Sequence, residues 1–391
     1  MKSLKKKRVF LDYASITPVD KRVAKEMARC EGLTFANPSA LYSEALVAKE
    51  LVQSARQKIA DVINSQSKEI VFTSGGTESN NLAILGAFEK YKSKNFIPHF
   101  VTTAVEHPAV LEVCREVERR GGEVTYVSVS SEGIVNPKNI RDALKENTVL
   151  VSVMYANNEI GTIQPIKEIG RVIKEWRLKN KTALPYFHTD ACQSALYLSL
   201  DVLKLGVDLM TLDAIKIYGP RGMGLLYIKN GVDLAPVIFG GGQEMGLRSG
   251  TENVPGIVGL AKALEIANDM RESESERLTL LRDFAIREIL KTFPNATLNG
   301  SWENRLPSNI NICFPGLDAE FAVISLDVHG LSASYSSSCR TLKEDSSSYV
   351  IQSLRKIDCS QSSLRFTLGR ESKKSDIDAL LQALKKILIK T

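Results

Sequence analysis

Two charged residues follow apolar segments of the chain, where the side chains at the end of a buried strand would emerge. Asp190 ends the segment Ala183–Asp190, and Lys216 ends the next one, DLMTLDAIK. A lysine at a buried strand end costs free energy unless it is paired or functional. Pyridoxal phosphate (PLP) chemistry needs this pair: a lysine for the Schiff base and an acid that keeps the pyridinium nitrogen protonated. Asp190 taken alone is also compatible with a structural turn.

A glycine-rich segment, SGGTESNN from Ser74 to Asn81, joins a predicted strand to a predicted helix. Glycine lets the backbone approach a ligand closely, and a helix N-terminus presents free N–H groups. Both features suit a phosphate group. An ordinary tight turn with Ser or Thr as the N-cap explains the segment equally well.

Cys339 lies in a Ser-rich polar segment, residues 334–348, which the composition predicts to be a mobile loop. The thiolate is the attacking form of cysteine, and a polar loop provides the exposure that it needs. Arg340 and Lys343 would favour the thiolate. The alternative is a surface thiol without a role. The other cysteines lie in apolar or helical patterns, where cysteine acts as a small hydrophobic residue: Cys30, Cys114, Cys192, Cys313 and Cys359.

The spacing of the cysteines and histidines predicts neither a disulfide framework nor a metal site. There are 6 cysteines without a CxxC pair, and the 4 histidines are not closely spaced. The net charge of +6 comes from interspersed Lys and Arg, so direct nucleic-acid binding is not expected. No apolar segment has the roughly 20 residues of a membrane helix, and the N-terminus lacks the pattern of a signal peptide. We expect a cytoplasmic protein.

Apolar, β-branched segments alternate with amphipathic helical segments over the first two thirds of the chain, which predicts an α/β fold with a mostly parallel sheet covered on both faces. Ligands of such sheets bind at the carboxyl ends of the strands. The informative polar residues fall there: Thr77, His107, Asn158, Asp190 and Lys216. The predicted strands are 69–73, 100–103, 148–155, 183–189, 209–212 and 224–228, and the predicted helices are 80–91, 109–120 and 166–179.

The pattern changes after Pro255, where a long helical segment, 256–293, leads into a smaller α+β region. Its predicted strands are 308–314 and 363–368, and its predicted helices are 319–328 and 374–390. We expect a large domain, residues 1–260, and a small C-terminal domain, residues 261–391, that carries the loop 334–348. The first residues, to about position 15, are expected to pack with the small domain.

From Phe10 to Lys390 the sequence resembles the class V aminotransferase family, specifically the group I cysteine desulfurases. The matching segments are FLDYASITPVD, FANPSALY, FTSGGTESNN, VEHPAV, ANNEIGTIQPI, FHTDACQS, KIYGPRGMG, GGGQEMGLRSGTENVPG and SSLRFTLGR. The resemblance implies a homodimer of the fold-type I PLP-dependent transferases, with L-cysteine as substrate. It also implies a sulfur-acceptor protein, either an iron–sulfur scaffold or a sulfur carrier for tRNA or thio-cofactor synthesis.

The same resemblance implies a role for each matching residue. Lys216 would form the Schiff base, Asp190 would bind the pyridinium nitrogen, and Gln193 would bind the ring hydroxyl. His107 would stack on the ring and move protons, and Cys339 would carry the persulfide. The remaining roles concern the cofactor phosphate, for Gly76, Thr77 and the partner-supplied Thr251, and the substrate carboxylate, for Asn158 and Arg365.

One segment departs from the family. Where the family has Ser-x-His before the lysine, this chain has Asp213-Ala214-Ile215. Ile215 has no side-chain donor, and Asp213 would place a carboxylate beside a phosphate dianion. At about 5 Å and an effective dielectric constant of about 20, each pair of unit charges repels by roughly 3 kcal/mol. That repulsion would weaken cofactor binding by a factor of about 100. Alternatively, Asp213 turns away, binds an arginine or is protonated.

Three functions fit these residues. An active cysteine desulfurase agrees with the retained set of catalytic residues. A degenerate, catalytically impaired homologue that binds a sulfur carrier agrees with the altered segment at Asp213. A selenocysteine lyase keeps the cofactor and changes the substrate. Cofactor binding distinguishes the first from the second, and the product distinguishes the first from the third.

Overall fold

A computed structural model of the chain describes residues 8–335 and 347–388. The helices in these residues are α1 Lys21–Leu33, α2 Ser43–Ile63, α3 Gly76–Tyr91, α4 Pro108–Arg119, α5 Pro137–Ala143, α6 Ile166–Asn180, α7 Val202–Leu205, α8 Val254–Thr292, α9 Ala319–Val328, α10 Tyr349–Ser353 and α11 Lys374–Leu388. The strands are β1 Val9–Phe10, β2 Ile70–Thr73, β3 His99–Thr103, β4 Glu123–Val127, β5 Thr148–Ser152, β6 Tyr186–Asp190, β7 Leu209–Asp213, β8 Gly224–Ile228, β9 Thr297–Leu298, β10 Asn309–Cys313, β11 Leu331–Ser332 and β12 Ser363–Thr367.

The central sheet has seven strands in the order β2-β8-β7-β6-β5-β3-β4. Strands β7, β6, β5, β3 and β4 pair in parallel, and β8 is antiparallel to both of its neighbours. Successive residues of a strand point to opposite faces. In β8, Leu225 and Tyr227 belong to one hydrophobic cluster, and Leu226 and Ile228 belong to another. The α/β fold with a mostly parallel sheet covered on both faces is thereby confirmed.

The elements predicted in the central sheet are present, with shifted ends. The predicted strand 183–189 begins at Tyr186 and runs to Asp190, and α3 begins at Gly76 rather than at residue 80. Strand β4, Glu123–Val127, was not predicted, because its charged and polar residues lack an apolar segment. It forms the edge of the sheet, where one side needs no strand partner.

A buried histidine links three strands beneath the carboxyl edge of the sheet. His188 of β6 forms hydrogen bonds through Nδ1 with Ser152 Oγ of β5 (2.8 Å) and through Nε2 with Thr211 Oγ1 of β7 (3.0 Å). Burial lowers the pKa of His188 to about 4, so the ring is neutral at pH 7. The three strands are therefore tied together two residues before Asp190.

The C-terminal region has its own small sheet, in the order β12-β10-β9, with antiparallel pairing. Its hydrophobic cluster includes Leu11 from the N-terminus, and β1 pairs with β11. Helix α8 extends through position 260: its first half packs in the cluster of the large sheet, and its second half, from Leu278, packs in that of the small one. The boundary near residue 260 remains a prediction.

The structure corrects the expectation about disulfides. Cys313, at the end of β10, forms a disulfide with Cys359, which precedes β12. The two residues are 46 positions apart in sequence, so their pairing leaves no local spacing signal. They meet because β10 pairs with β12 and Cys313 lies opposite Ser363. Cys30, Cys114 and Cys192 are free and buried.

Neither a membrane-spanning helix nor a metal-binding cluster is found in the part of the chain that the structure describes. Among residues 8–335 and 347–388, no helix combines the length and the apolar character needed to cross a membrane. Over the same residues, no group of three or more His, Cys, Asp and Glu side chains is arranged to hold a metal ion.

Candidate active site

A cavity of about 150 Å³ opens at the carboxyl edge of the central sheet. It brings together most of the residues that the sequence singled out. Thr251, in contrast, is exposed and does not line the cavity, and Cys339 lies outside the described residues, as do Arg340 and Lys343. The predicted residues that line the cavity are Gly76, Thr77, His107, Asn158, Asp190, Gln193, Asp213, Lys216 and Arg365.

Lys216 ends a short 3-10 turn that follows β7, and its amino group points into the cavity. The Nζ atom donates hydrogen bonds to the carbonyl oxygens of Ala14 (2.9 Å) and Ser15 (2.6 Å). Gln193 Nε2 donates to the same Ala14 oxygen at 2.9 Å. Segment 14–15 of the N-terminus therefore forms one wall of the cavity and orients two of the predicted cofactor-binding side chains.

Asp190 stands at the end of β6 with its carboxylate held from two sides. Its Oδ2 atom accepts a hydrogen bond from Asn80 Nδ2 (2.8 Å), and its Oδ1 atom accepts one from the Cys192 amide (3.0 Å). The side chain is fixed while each oxygen keeps capacity for a further bond. This arrangement allows Asp190 to accept a hydrogen bond from a protonated ring nitrogen in the cavity.

His107 is the N-cap of α4, and its Nδ1 atom accepts a hydrogen bond from the Ala109 amide (3.1 Å). The neutral ring therefore carries its proton on Nε2. Burial is the main cause that lowers the pKa of His107 below its ordinary value, and Lys216 acts in the same direction. A neutral imidazole can stack on a ring without introducing a charge, and it can take up a proton.

Arg365 of β12 is buried, with a relative exposure of 2%, and reaches the cavity from the three-stranded C-terminal sheet. Its Nη1 atom donates to the Asn158 carbonyl oxygen (2.9 Å), and its Nη2 atom donates to Asp12 Oδ1 (2.7 Å) and Ser15 Oγ (2.9 Å). Within the described residues, Arg365 Nε and Asn158 Oδ1 are buried without a hydrogen-bond partner. An unpaired buried donor on a guanidinium group suits a carboxylate ligand.

With L-cysteine, the substrate that the sequence resemblance implies, we expect Arg365→Ala to raise KM by at least about 30-fold. The substrate carboxylate would lose its buried charged partner, which costs about 2 kcal/mol or more. Steady-state kinetics at saturating cofactor would measure the change. Asp12→Asn is the matched variant: it removes the carboxylate that pairs with Arg365 and keeps the guanidinium group, so KM should rise by less than in Arg365→Ala. An Arg365→Ala enzyme with the KM of the wild type would remove Arg365 from substrate binding.

Asp213 does not turn away from the glycine-rich segment, and no arginine binds it in the described residues. Its Oδ2 atom accepts a hydrogen bond from the Gly76 amide at the start of α3 (2.8 Å), and its Oδ1 atom accepts one from the Ile215 amide (3.1 Å). Burial is the largest cause that raises the pKa of this carboxyl group. Asp213 therefore occupies a donor that the resemblance assigns to the cofactor phosphate.

The cavity fits the ring end of PLP and fits the phosphate end less well. A lysine, a fixed carboxylate, a neutral histidine and a glutamine surround the space for a ring: Lys216, Asp190, His107 and Gln193. At the other end, a Cβ atom on Gly76 would lie 3.3 Å from Asp213 Oδ2 and 2.8 Å from Cys192 Sγ, so the glycine turn leaves little room beyond these side chains. The residues present can hold the ring of the cofactor, and Asp213 would face its phosphate group.

Three residues that contact or adjoin the predicted site residues were not identified from the sequence. Asn80 orients Asp190, Asp12 pairs with Arg365, and Glu106 lies directly before His107, where burial raises its pKa to about 8. Each lies in a segment that carries the resemblance. A buried carboxyl group can be identified only when its surroundings are known, and the two partner residues come from distant segments of the chain.

Both ends of the segment that contains Cys339 are attached beside the cavity. Ser334 exchanges two backbone hydrogen bonds with Arg365 (3.2 and 2.6 Å). On the other side, Ser348 Oγ donates to Glu159 Oε2 (2.6 Å), next to Asn158. An extended chain spans at most about 3.5 Å per residue, so the five steps from Ser334 give Cys339 a reach of about 17 Å.

The chain is similar to known proteins of one family over nearly its whole length. The family model described as aminotransferase class-V matches residues 9–380. The chain is 43% identical over 386 residues to cysteine desulfurase IscS of Dictyoglomus turgidum, covering 98% of this chain and 95% of that protein. It is 40% identical to cysteine desulfurase IscS of Methanosarcina thermophila, covering 99% and 94%.

Solved structures agree with these relatives. A NifS-like protein superposes with a TM-score of 0.90 at 32% identity, covering 98% of this chain and all (100%) of that one. The structure of SspA in complex with cysteine gives a TM-score of 0.78 at 33% identity, with coverage of 93% and 99%.

Proposed function

Because the chain belongs to the aminotransferase class-V family, we propose that it is a PLP-dependent cysteine desulfurase. It converts L-cysteine to L-alanine, transfers the sulfur to Cys339 as a persulfide, and passes it to an acceptor. The observation that carries this proposal is the convergence of Lys216, Asp190, His107 and Arg365 on one cavity. The full-length similarity to cysteine desulfurases supports it.

The chain's own residues supply binding and proton transfer. Asp190, fixed by Asn80 and the Cys192 amide, would hold the protonated ring nitrogen. Lys216 would hold the aldehyde carbon, and both Lys216 and His107 lie in the cavity for transfer of the α-proton. When bound, PLP supplies an electron sink for the charge that develops on the α-carbon.

The substrate carboxylate would bind at the Arg365 Nε–H group, which has no other partner in the described residues. Arg365 comes from β12 and the cofactor groups come from the central sheet, so the substrate would lie between the two. This contact would fix which end of L-cysteine is held.

The sulfur step uses the Cys339 thiolate. It attacks the sulfur of the substrate, an S–S bond forms, the C–S bond breaks, and the carbon is protonated to give alanine. The product on the protein is a persulfide, which a second thiolate can remove. The attachment of this segment at Ser334, beside Arg365, supports a reach from Cys339 to the cavity.

Two partners belong to the proposal. A second copy of the chain would supply Thr251, which is exposed just before α8 and does not line the cavity of its own chain. A sulfur-acceptor protein would collect the sulfur from Cys339; its thiolate would attack the outer sulfur of the persulfide, and Cys339 would leave as the thiolate.

The test is a visible absorbance scan followed by product analysis. The purified protein is mixed with PLP and then with L-cysteine and a thiol reductant. We expect a visible band that shifts on addition of cysteine, and equal amounts of alanine and sulfide. A protein without a band at excess PLP would be the non-catalytic homologue. A protein that releases alanine only from selenocysteine would be a selenocysteine lyase.

A further inference from the structure

The N-terminus of α3 binds the carboxylate of a side chain, Asp213. The two oxygens of Asp213 accept the Gly76 and Ile215 amide hydrogens, at 2.8 and 3.1 Å. Helix α3 is 16 residues long, and its N-terminus carries partial positive charge that favours an anion. The anion at this end of the cavity is therefore already present as a side chain.

The fold fixes this position. Gly224 of β8 pairs on one side with Thr73, the last residue of β2, and on the other side with Asp213, the last residue of β7. A Cβ atom on Gly224 would lie 2.6 Å from Gly75 Cα, so the backbone of the turn passes directly over this strand. The turn that opens α3 and the carboxylate of Asp213 are consequently held side by side.

Rotation of Asp213 away from the turn would have a cost. Its side chain is also the N-cap of the 3-10 turn that ends at Lys216, through the bond from the Ile215 amide. Losing this cap would leave the Ile215 amide without its side-chain acceptor. The Gly76 amide would also lose its acceptor, unless the incoming group accepts its hydrogen bond.

The residues around Asp213 provide little positive charge to stabilise a second anion beside its carboxylate. Of the neighbouring charges that act on Asp213, Lys216 attracts and Asp190 repels. In residues 8–335 and 347–388, no ion pair joins Asp213 to a lysine or arginine, and Ile215 has no polar side chain. A phosphate group placed here would face the carboxylate with little positive charge to offset the repulsion.

We propose that Asp213 selects the cofactor by charge: it disfavours the 5′-phosphate of PLP and favours the uncharged 5′-hydroxyl of pyridoxal. A carboxylate accepts a hydrogen bond from a hydroxyl group and repels a phosphate. Dinucleotide sites use the same contrast, with an acidic residue for the ribose hydroxyl and an arginine for its phosphate. This inference rests on the proposed function, because it concerns the cofactor of that site.

The expected effect is large enough to measure. One repelling pair of unit charges at about 5 Å corresponds to roughly a 100-fold change in affinity. Removing the charge should therefore tighten PLP binding by about 100-fold. Pyridoxal lacks the phosphate, so its affinity should stay the same or fall by a few fold as the hydroxyl loses its acceptor.

The experiment titrates the full-length protein with PLP and, separately, with pyridoxal, without L-cysteine, and follows binding by calorimetry and visible absorbance. Asp213→Asn keeps the shape and removes the charge, and Asp213→Ser gives a second variant in case the first does not fold. Asp142→Asn, an exposed carboxylate on α5, is the matched control. The quantity compared is the ratio of the two dissociation constants, PLP over pyridoxal.

We expect this ratio to fall by about 100-fold in both Asp213 variants relative to the wild type, and to be unchanged in Asp142→Asn. A ratio within twofold of the wild type in a folded Asp213 variant would overturn the selection by charge and leave the proposed function intact. If neither compound binds to the wild type or to any variant, the cofactor site itself is refuted, and the proposed function fails with it.

Discussion

Lys216→Ala is expected to abolish covalent attachment of the cofactor and to lower alanine production by at least about 1000-fold. The amino group is the only part of this side chain that can form a Schiff base, and it is also placed for proton transfer, which alone contributes 10²–10⁴-fold in enzymes. Borohydride reduction of the PLP complex, followed by peptide mass spectrometry, would locate the adduct. The peptide that contains Lys216 should carry it.

The variant Lys216→Arg separates the loss of the Schiff base from a loss of protein stability. Lys216 Nζ donates to the carbonyl oxygens of Ala14 and Ser15, so the alanine variant also loses two hydrogen bonds. Arginine keeps the donors and stays protonated, so it forms no Schiff base. We expect both variants to lack the adduct, and Lys216→Arg to keep more of the thermal stability. A borohydride adduct on another lysine of the wild type would contradict the assignment.

Cys339→Ser is expected to retain the cofactor band and to lose persulfide formation, with sulfur release reduced by at least about 100-fold. A serine hydroxyl is not ionised near neutral pH and does not form a persulfide. Mass spectrometry after a single turnover with L-cysteine would show an additional sulfur atom on the Cys339 peptide of the wild type and none on the variant.

Cys192 is the competing thiol, since it lines the cavity. Burial raises the pKa of Cys192 well above its ordinary value, and Asp190 and Asp213 act in the same direction. The thiol is therefore protonated at neutral pH and is a poor nucleophile. Cys192→Ala should still form the persulfide on Cys339. Loss of the persulfide in Cys192→Ala together with its retention in Cys339→Ser would reverse the two roles.

The sequence by itself determined the fold class and most of the polar residues that line the cavity. Strand–helix alternation predicted a covered, mostly parallel sheet, and the polar residues at strand ends, such as Asp190 and Lys216, do lie at one edge of it. These inferences succeed because periodicity and strand ends are local features. Parallel strands place their carboxyl ends at the same edge whatever the details of packing.

Only the tertiary structure decided how distant segments meet. The pairing of Cys313 with Cys359 depends on β10 lying beside β12, and the ion pair of Arg365 with Asp12 joins the two ends of the chain. Asp213 could have turned away or bound an arginine; it accepts the Gly76 amide because Gly224 lies between β2 and β7. Such contacts join residues far apart in sequence, and burial, which raises the pKa of that carboxyl group, follows from packing that no local pattern records.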